Sequence, residues 1–513
     1  MRFLLKVFSF VGLCLFLVAL KAHSGTCENV ADFYDPSGCS VDAKESYVDF
    51  GSLDVKIVPA DNGANLNRIL YVVGPYDLDF SEGLEPLGLG NIPRDLLDKA
   101  KASNVDVVYF DFSNNNEDYL QNKGLALVQA IKKIESLRTS NQEVVLVGLS
   151  LGGVVARYAL TTMEQQGVVH NVSHYISYDS PHLGAHVPLS LQYVPIFLRD
   201  ATERAKADNT GWLSDKLMDI GEWLVDDFAF NHDLLLSETA HEELRKAKST
   251  ITTAQLLITE SIDSNAGKQL LIQNKLYGNE MHSLGLALQA ELAALGFPKN
   301  TKTNSAIANG SISGGYQAGV TGDKYLYYKS HSDSVNSYNK LWLNVHQARP
   351  NSGPVMFWGR MDYQDASEEL SFGDGTDKYE KTIYWEWAPH LDDIPCSTVD
   401  VPKQLGERLG DVLSETWPNP YSDGIEVHRE SSCFIPTLSA LAINTVPVDT
   451  VSPVDLSQSP FDVVVANGVN DFHMSEYGVG GAMSSNISDL YDMAISDTYN
   501  YPWLVPVISL ILN

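Results

Sequence analysis

EVVLVGLSLGGVVARYAL, residues 143–160, is the stretch whose reading decides the fold. Val144 to Val147 form an apolar, β-branched run suited to a strand buried on both faces. The chain then turns through Gly148-Leu149-Ser150-Leu151-Gly152 and continues with Val154, Val155, Tyr158 and Ala159 at helical spacing. A G-x-S-x-G turn between a strand and a helix is the setting that a nucleophile elbow requires. The serine occupies a tight turn, and glycines flank it because a side chain there would collide with the neighbouring strand or helix. A chance G-x-S-x-G in a glycine-rich loop would lack that frame on both sides. Ser150 is therefore the candidate nucleophile.

The surrounding chain is long enough for one large decorated domain or for two to three ordinary ones, with 513 residues. Its hydrophobic fraction of 44% supports a sizeable core and excludes global disorder. The first residues read as a secretory leader: Arg2 and Lys6, an apolar run from Val7 to Leu20, then Ala22-His23-Ser24 as a small-x-small cleavage site. The run is short for a membrane span. The expected address is secreted or periplasmic, with residues 1–24 removed and no stable membrane anchor. Cleavage leaves Cys27, Cys39, Cys396 and Cys433, an even number. In an exported chain that suggests disulfides, most simply Cys27–Cys39 and Cys396–Cys433, although three pairings are possible. No CxxC or Cys/His cluster has zinc spacing, so no thiolate metal site is expected, and a serine nucleophile requires no metal or organic cofactor. A net charge of -30 repels nucleic acid and anionic membrane surfaces, and identifies no substrate.

In chain order, residues 52–59 (SLDVKIVP) read as an edge strand and residues 67–73 (NRILYVV) as a buried strand running into Gly74-Pro75-Tyr76. Residues 105–112 (VDVVYFDF) are the next strand. Residues 117–137 form an amphipathic helix with Leu120, Leu125, Leu127, Ile131 and Ile134 on its apolar side. After the elbow, residues 172–183 (VSHYISYDSPHL) are a strand that ends in a polar turn. Strand–helix–strand alternation implies a parallel sheet with its chemistry at the carboxyl ends of the strands. Residues 187–300 change to Leu-, Ala-, Glu- and Lys-rich helices and read as a helical cap. One of them, around Trp212, Leu213, Leu217, Ile220 and Leu224, either meets a lipid surface or packs on the domain beneath. Residues 305–311 (SAIANGS) return to the core, and residues 317–390 alternate as an antiparallel β excursion. The run Gly373-Asp374-Gly375-Thr376-Asp377 lacks the rest of a calcium loop and reads as a turn. Residues 401–415 read as a helix; residues 433–441 (CFIPTLSAL) and 462–466 (DVVVA) read as returns to the sheet.

These motifs resemble the α/β-hydrolase superfamily, in particular its secreted bacterial lipase/esterase-like members. GLSLGG resembles their elbow, and SPHLGA (residues 180–185) resembles a T-P-H-x-G-[SA] turn shared with GPI inositol-deacylase-like hydrolases. FIPTLSAL resembles the V-P-x-x-S segment of lecithin–cholesterol-acyltransferase-like relatives, but Ser431, Ser432 and Cys433 stand where those proteins carry Asp-Gly. The resemblance covers scattered motifs over residues 67–184 and 433–473. It implies a mostly parallel core sheet split into residues 25–186 and 301–513, with the helical cap and β excursion inserted. It also implies a serine–histidine–acid triad. The histidine follows the last core strand, which points to His473, with His428 as the alternative. For the acid, Asp179 ends the strand beside the elbow strand; Asp392 and Asp423 are the alternatives, and Asp179 has a competing structural role in holding the SPH turn. The resemblance places the oxyanion hole at Leu151 N–H and, since Pro75 has no N–H, at Tyr76 N–H.

The expectation is a secreted serine hydrolase of carboxylic esters with an ester or lipid-like substrate. An amidase or acyltransferase on the same fold is the near alternative. A non-catalytic extracellular binding protein using the β excursion is the distant one.

Overall fold

The structure, a computed structural model, describes residues 25–28, 39–45, 48–60, 66–74, 100, 102–112, 118–138, 140, 142–209, 262–313, 324–329, 340–346, 355–364, 376–384, 392, 394–403, 405–407 and 425–467. Strands β1 (Gly25–Thr26), β2 (Cys39–Glu45), β3 (Val48–Val58), β4 (Ile69–Gly74) and β5 (Asp106–Asp111) precede helix α1 (Leu120–Leu137). Then come β6 (Val144–Leu149), α2 (Leu151–Gln165), β7 (Val172–Tyr178), α3 (Leu189–Asn209), α4 (Asn265–Leu270), α5 (Ser283–Leu295) and β8 (Thr303–Ser311). The remainder supplies β9 (Lys324–Lys329), β10 (Lys340–His346), β11 (Val355–Gln364), β12 (Thr376–Tyr384), β13 (Cys396–Val399), β14 (Ile425–Val427), β15 (Ser432–Pro436), α6 (Thr437–Ala440) and β16 (Val463–Asn467).

Nine strands form one sheet in the order β1-β2-β3-β5-β4-β6-β7-β8-β16. From β5 to β16 every neighbour is parallel, whereas β3 runs antiparallel to both β2 and β5. Every residue of β4 and β6 is buried, which is why these strands read as unbroken apolar runs rather than as alternating ones. Helices α1 and α2 pack together on one face, with α1 lying over β2 and β3 and α2 over β4, β6 and β7. The apolar side of α1 buries Leu120, Leu127, Ile131 and Ile134, as its spacing predicts.

Two sequence expectations need correction. Residues 52–59 do not lie at an edge, because β3 has β2 on one side and β5 on the other. Leu53, Val55 and Ile57 are buried while Asp54 and Lys56 are only half-buried. That alternation reflects an antiparallel strand with one less covered face, not a missing neighbour. Residues 433–441 do not rejoin the main sheet either: β15 pairs antiparallel with β13 in a two-stranded ribbon. The ribbon abuts the carboxyl end of β8, since a Cβ on Gly310 would stand 2.8 Å from Cys396 Cα and 2.2 Å from Thr437 Oγ1.

The excursion forms a second, antiparallel sheet in the order β12-β11-β10-β9-β14. Its inner face packs on α3, where the rings of Tyr193 and Phe197 lie 4.9 and 5.3 Å from Phe357. Gly359 is a close approach: a Cβ there would be 2.8 Å from the Phe197 ring. The disulfides are Cys27–Cys39, tying the residue after β1 to β2, and Cys396–Cys433, tying β13 to β15. No helix among the described residues is long and apolar enough to cross a membrane.

At the amino ends of the strands, opposite the elbow, Glu135 accepts hydrogen bonds from Tyr71 Oη (3.1 Å), Arg138 Nη1 (2.7 Å) and Asn171 Nδ2 (2.6 Å). Arg138 also reaches the carbonyls of Leu66, Asn67 and Gln142, so one carboxylate and one guanidinium clasp α1 to the starts of β4, β6 and β7. The Arg138 side chain is 1% exposed. Glu135→Gln should leave that cation without its counter-charge and cost about 3 kcal/mol in urea unfolding.

Candidate active site

Ser150 closes β6 and caps α2 with φ 50° and ψ −126°. A non-glycine residue at positive φ is uncommon, and it persists only where the surroundings over-determine it. Here the Ser150 N–H donates to Tyr178 O at 2.9 Å, and the Gly153 N–H donates to Ser150 O at 3.0 Å. A Cβ on Gly148 would sit 2.3 Å from Gly153 Cα, and one on Gly152 would sit 2.0 Å from Val73 O. The glycines let the first turn of α2 lie against the ends of β4 and β6. The serine is thus forced out of both the strand and the helix, at the carboxyl edge of the sheet.

Leu151 is the first residue of α2, where a backbone N–H has no intrahelical acceptor and the helix dipole is positive. Asp179 follows β7 at φ 44° and is fully buried. Its N–H donates to Ile307 O (2.7 Å), and its Oδ1 accepts the Asn309 N–H (3.0 Å). Asn309 Nδ2 in turn donates to Tyr178 Oη at 3.2 Å. These bonds tie Asp179 across to the end of β8. Asn309 is 2% exposed, which also removes its N-x-S site from the glycosylation acceptors that the sequence offers at Asn171, Asn309 and Asn486.

The structure brings together a pair that the sequence did not suggest. His186 Nε2 lies 2.7 Å from Asp392 Oδ1, with both side chains buried and 206 positions apart. The His186 N–H also donates to Phe434 O at 2.7 Å, and the Leu183 N–H donates to Ser439 Oγ at 3.0 Å. The turn after β7 is therefore fastened to β15 and α6. His182, the histidine of the SPH motif, is fully buried, 2.8 Å from Ser177 Oγ, with its ring against Phe297 and Phe461. Burial, and secondarily the nearby Arg157 cation, push its pKa well below the usual imidazole value. It is a neutral packing group. His428 stands on the surface, 3.2 Å from Glu426. Tyr76, His473 and Asp423 lie outside the described residues. Among the described residues no group of three or more His, Cys, Asp or Glu side chains could hold a metal ion.

A family model described as the PGAP1-like alpha/beta domain matches residues 98–221, a span that includes β5, the elbow and all of α3. No curated protein matches the chain. Among solved structures, Est1E from Butyrivibrio proteoclasticus is 11% identical with a TM-score of 0.21, over 28% of this chain and 50% of that one. The lipase BlEst2 from Bacillus licheniformis, in mature form, is 15% identical with a TM-score of 0.25, over 51% and 73%. Brefeldin A esterase, a bacterial homologue of human hormone sensitive lipase, is 14% identical with a TM-score of 0.21, over 34% and 48%. The chain thus spans about half the length of two of these three.

Two outcomes follow from this geometry. Gly152→Ala should cost about 3 kcal/mol or prevent folding, because backbone rather than a flexible side chain blocks the new methyl; soluble yield and thermal unfolding report it. His182 stays neutral in the folded chain, while the unfolded chain protonates it below about pH 6.5. The stability this site supplies is complete above that pH and is lost as the pH falls toward the lower folded value. His182→Gln should flatten the wild type's decline between pH 6.5 and 5.5 by up to about 1.4 kcal/mol per pH unit, read from urea midpoints.

Proposed function

We propose that this α/β-hydrolase chain is an exported serine hydrolase that cleaves carboxylic esters through an acyl-enzyme on Ser150. The observation that carries the proposal is the backbone of Ser150, held at φ 50° between a buried strand and the positive end of α2. Export is supported by the leader-like residues 1–24 and by two disulfides.

In the proposed cycle, Ser150 Oγ attacks the ester carbonyl carbon while His473 accepts the hydroxyl proton. The carbonyl oxygen becomes an oxyanion, taken up by the Leu151 and Tyr76 N–H groups. Collapse of the tetrahedral species expels the alkoxide, which His473 protonates to the alcohol. A water, deprotonated by the same imidazole, then releases the acid and restores Ser150. Position in sequence supports His473, which follows β16, the last strand of the parallel run.

Asp179 is proposed as the acid that orients the base. It ends the strand next to the elbow strand, and one carboxylate oxygen is already fixed by the Asn309 N–H. Asp392 already accepts a hydrogen bond from His186, a partner that favours a structural role. The substrate is proposed to be an ester or lipid-like molecule, and residues 187–300 a cap over it.

The mature protein should hydrolyse p-nitrophenyl esters, and Ser150→Ala or His473→Ala should each lower kcat by at least about 10³-fold. A fluorophosphonate probe should label Ser150. Activity that survives Ser150→Ala would remove the nucleophile assignment. Absence of both turnover and labelling in the wild type would favour a binding protein that keeps the fold. Asp179→Asn should lower kcat by about 10³-fold or more with folding intact, whereas Asp392→Asn should act on thermal stability; the reverse result would exchange the two roles.

A further inference from the structure

β7 and β8 lie side by side and parallel, with Tyr178 opposite Ile307 at the carboxyl end of the pair. The Asp179 N–H makes the next rung, to Ile307 O at 2.7 Å. A regular parallel ladder would follow it with a bond from the Asn309 N–H to the backbone carbonyl of Asp179. Asp179 turns the chain away at φ 44°, and its side-chain Oδ1 accepts that N–H instead, at 3.0 Å. The carboxylate is thereby tied to the place where Asn309 stands. Asn309 is in turn held by its side chain, whose Nδ2 donates to Tyr178 Oη at 3.2 Å. Tyr178 also holds the nucleophile, because its backbone carbonyl accepts the Ser150 N–H at 2.9 Å. One residue at the end of β7 therefore links both parts of the site, Ser150 directly and the Asp179 carboxylate through Asn309.

Packing alone does not require this hydroxyl. Tyr178 is 4% exposed and Asn309 2%, and a phenylalanine at 178 would fill the same space without bringing a polar group out of water. A buried hydroxyl and a buried carboxamide each carry a desolvation cost that their hydrogen bond offsets. What the pair supplies is a fixed separation between two strand ends. Acyl transfer by a serine demands such fixity, since the acid has to meet the base while the base meets the serine. A displacement of about 1 Å caused from outside the reacting groups costs about 100-fold in rate.

We infer that Tyr178 and Asn309 are positioning residues of the site: the bond between their side chains holds the Asp179 carboxylate in line with a base at Ser150. Neither is a reacting group. The inference rests on the roles proposed above for Ser150 and Asp179.

The test compares steady-state hydrolysis of p-nitrophenyl esters by the full mature chain, by Tyr178→Phe, by Asn309→Ala and by the double variant, as a function of pH, with thermal unfolding alongside. Each single variant should lower kcat by about tenfold or more while KM changes little. The double variant should be no slower than the slower single one, since the same bond is lost in all three. The acidic limb of kcat/KM should move to lower pH, because a carboxylate held out of line stabilises the imidazolium less. Side chains that only pack would lower Tm and leave kcat and that limb in place; this result, or losses that simply add in the double variant, overturns the inference. Ser150→Ala, measured beside them, keeps the two levels apart. Where turnover depends on Ser150, unchanged kcat in both single variants removes the positioning role alone. Where the wild type shows no Ser150-dependent turnover, the hydrolase reading falls and the inference falls with it. If Tyr178→Phe does not fold, Asn309→Ala decides by the same kcat, KM and pH readouts.

Discussion

The close approach of the α2 amino terminus to the ends of β4 and β6 is the constraint on which the site depends. It is possible only because Gly148 and Gly152 lack side chains where Gly153 Cα and Val73 O stand. The same contact holds Ser150 at positive φ, with its N–H spent on Tyr178 O. Conformational strain of a kilocalorie or so at one residue persists because strands on both sides are buried and parallel, so relief would require moving the sheet. The cost of the elbow is met by the core around it.

The carboxyl edge of the sheet is then assembled from distant pieces. The turn after β7 reaches the end of β8 through Asp179 and Asn309, and reaches the ribbon through His186, Leu183 and their partners. The ribbon is closed by Cys396–Cys433 and seated on Gly310. Of the helices between β7 and β8, α5 packs on α2, where Arg157 donates to Leu292 O and Gly296 O. The second sheet adds its own apolar layer with α3, around Phe197 and Phe357. Its turn at Arg429 leads directly into the ribbon.

Polar groups in this interior are mostly satisfied in pairs or networks, as burial requires. Glu135 and Arg138 fasten the amino ends of the strands; His182 and Ser177 fill a neutral pocket behind the carboxyl ends. The low pKa of His182 shows that a histidine in a recognisable motif can serve packing rather than chemistry. His186, four positions later, received no role from the sequence, yet it forms the closest histidine–carboxylate contact among the described residues.

The sequence by itself determined the parallel core, because strands covered on both faces are mostly apolar, as β4 and β6 are throughout and β5 is between its terminal aspartates. It also determined the strand–turn–helix around Ser150, since only glycines fit beside it. What tertiary structure decided were the matters that depend on strand order and on contacts across long stretches of chain. Residues 52–59 became interior once β2 was seen to pair beyond them. The FIPTLSAL segment became a ribbon strand because β13, not the main sheet, supplies its partner. Asp392 met His186 across 206 positions. Periodicity reports which face of an element is covered; it carries no information about which distant carboxylate, ring or carbonyl does the covering.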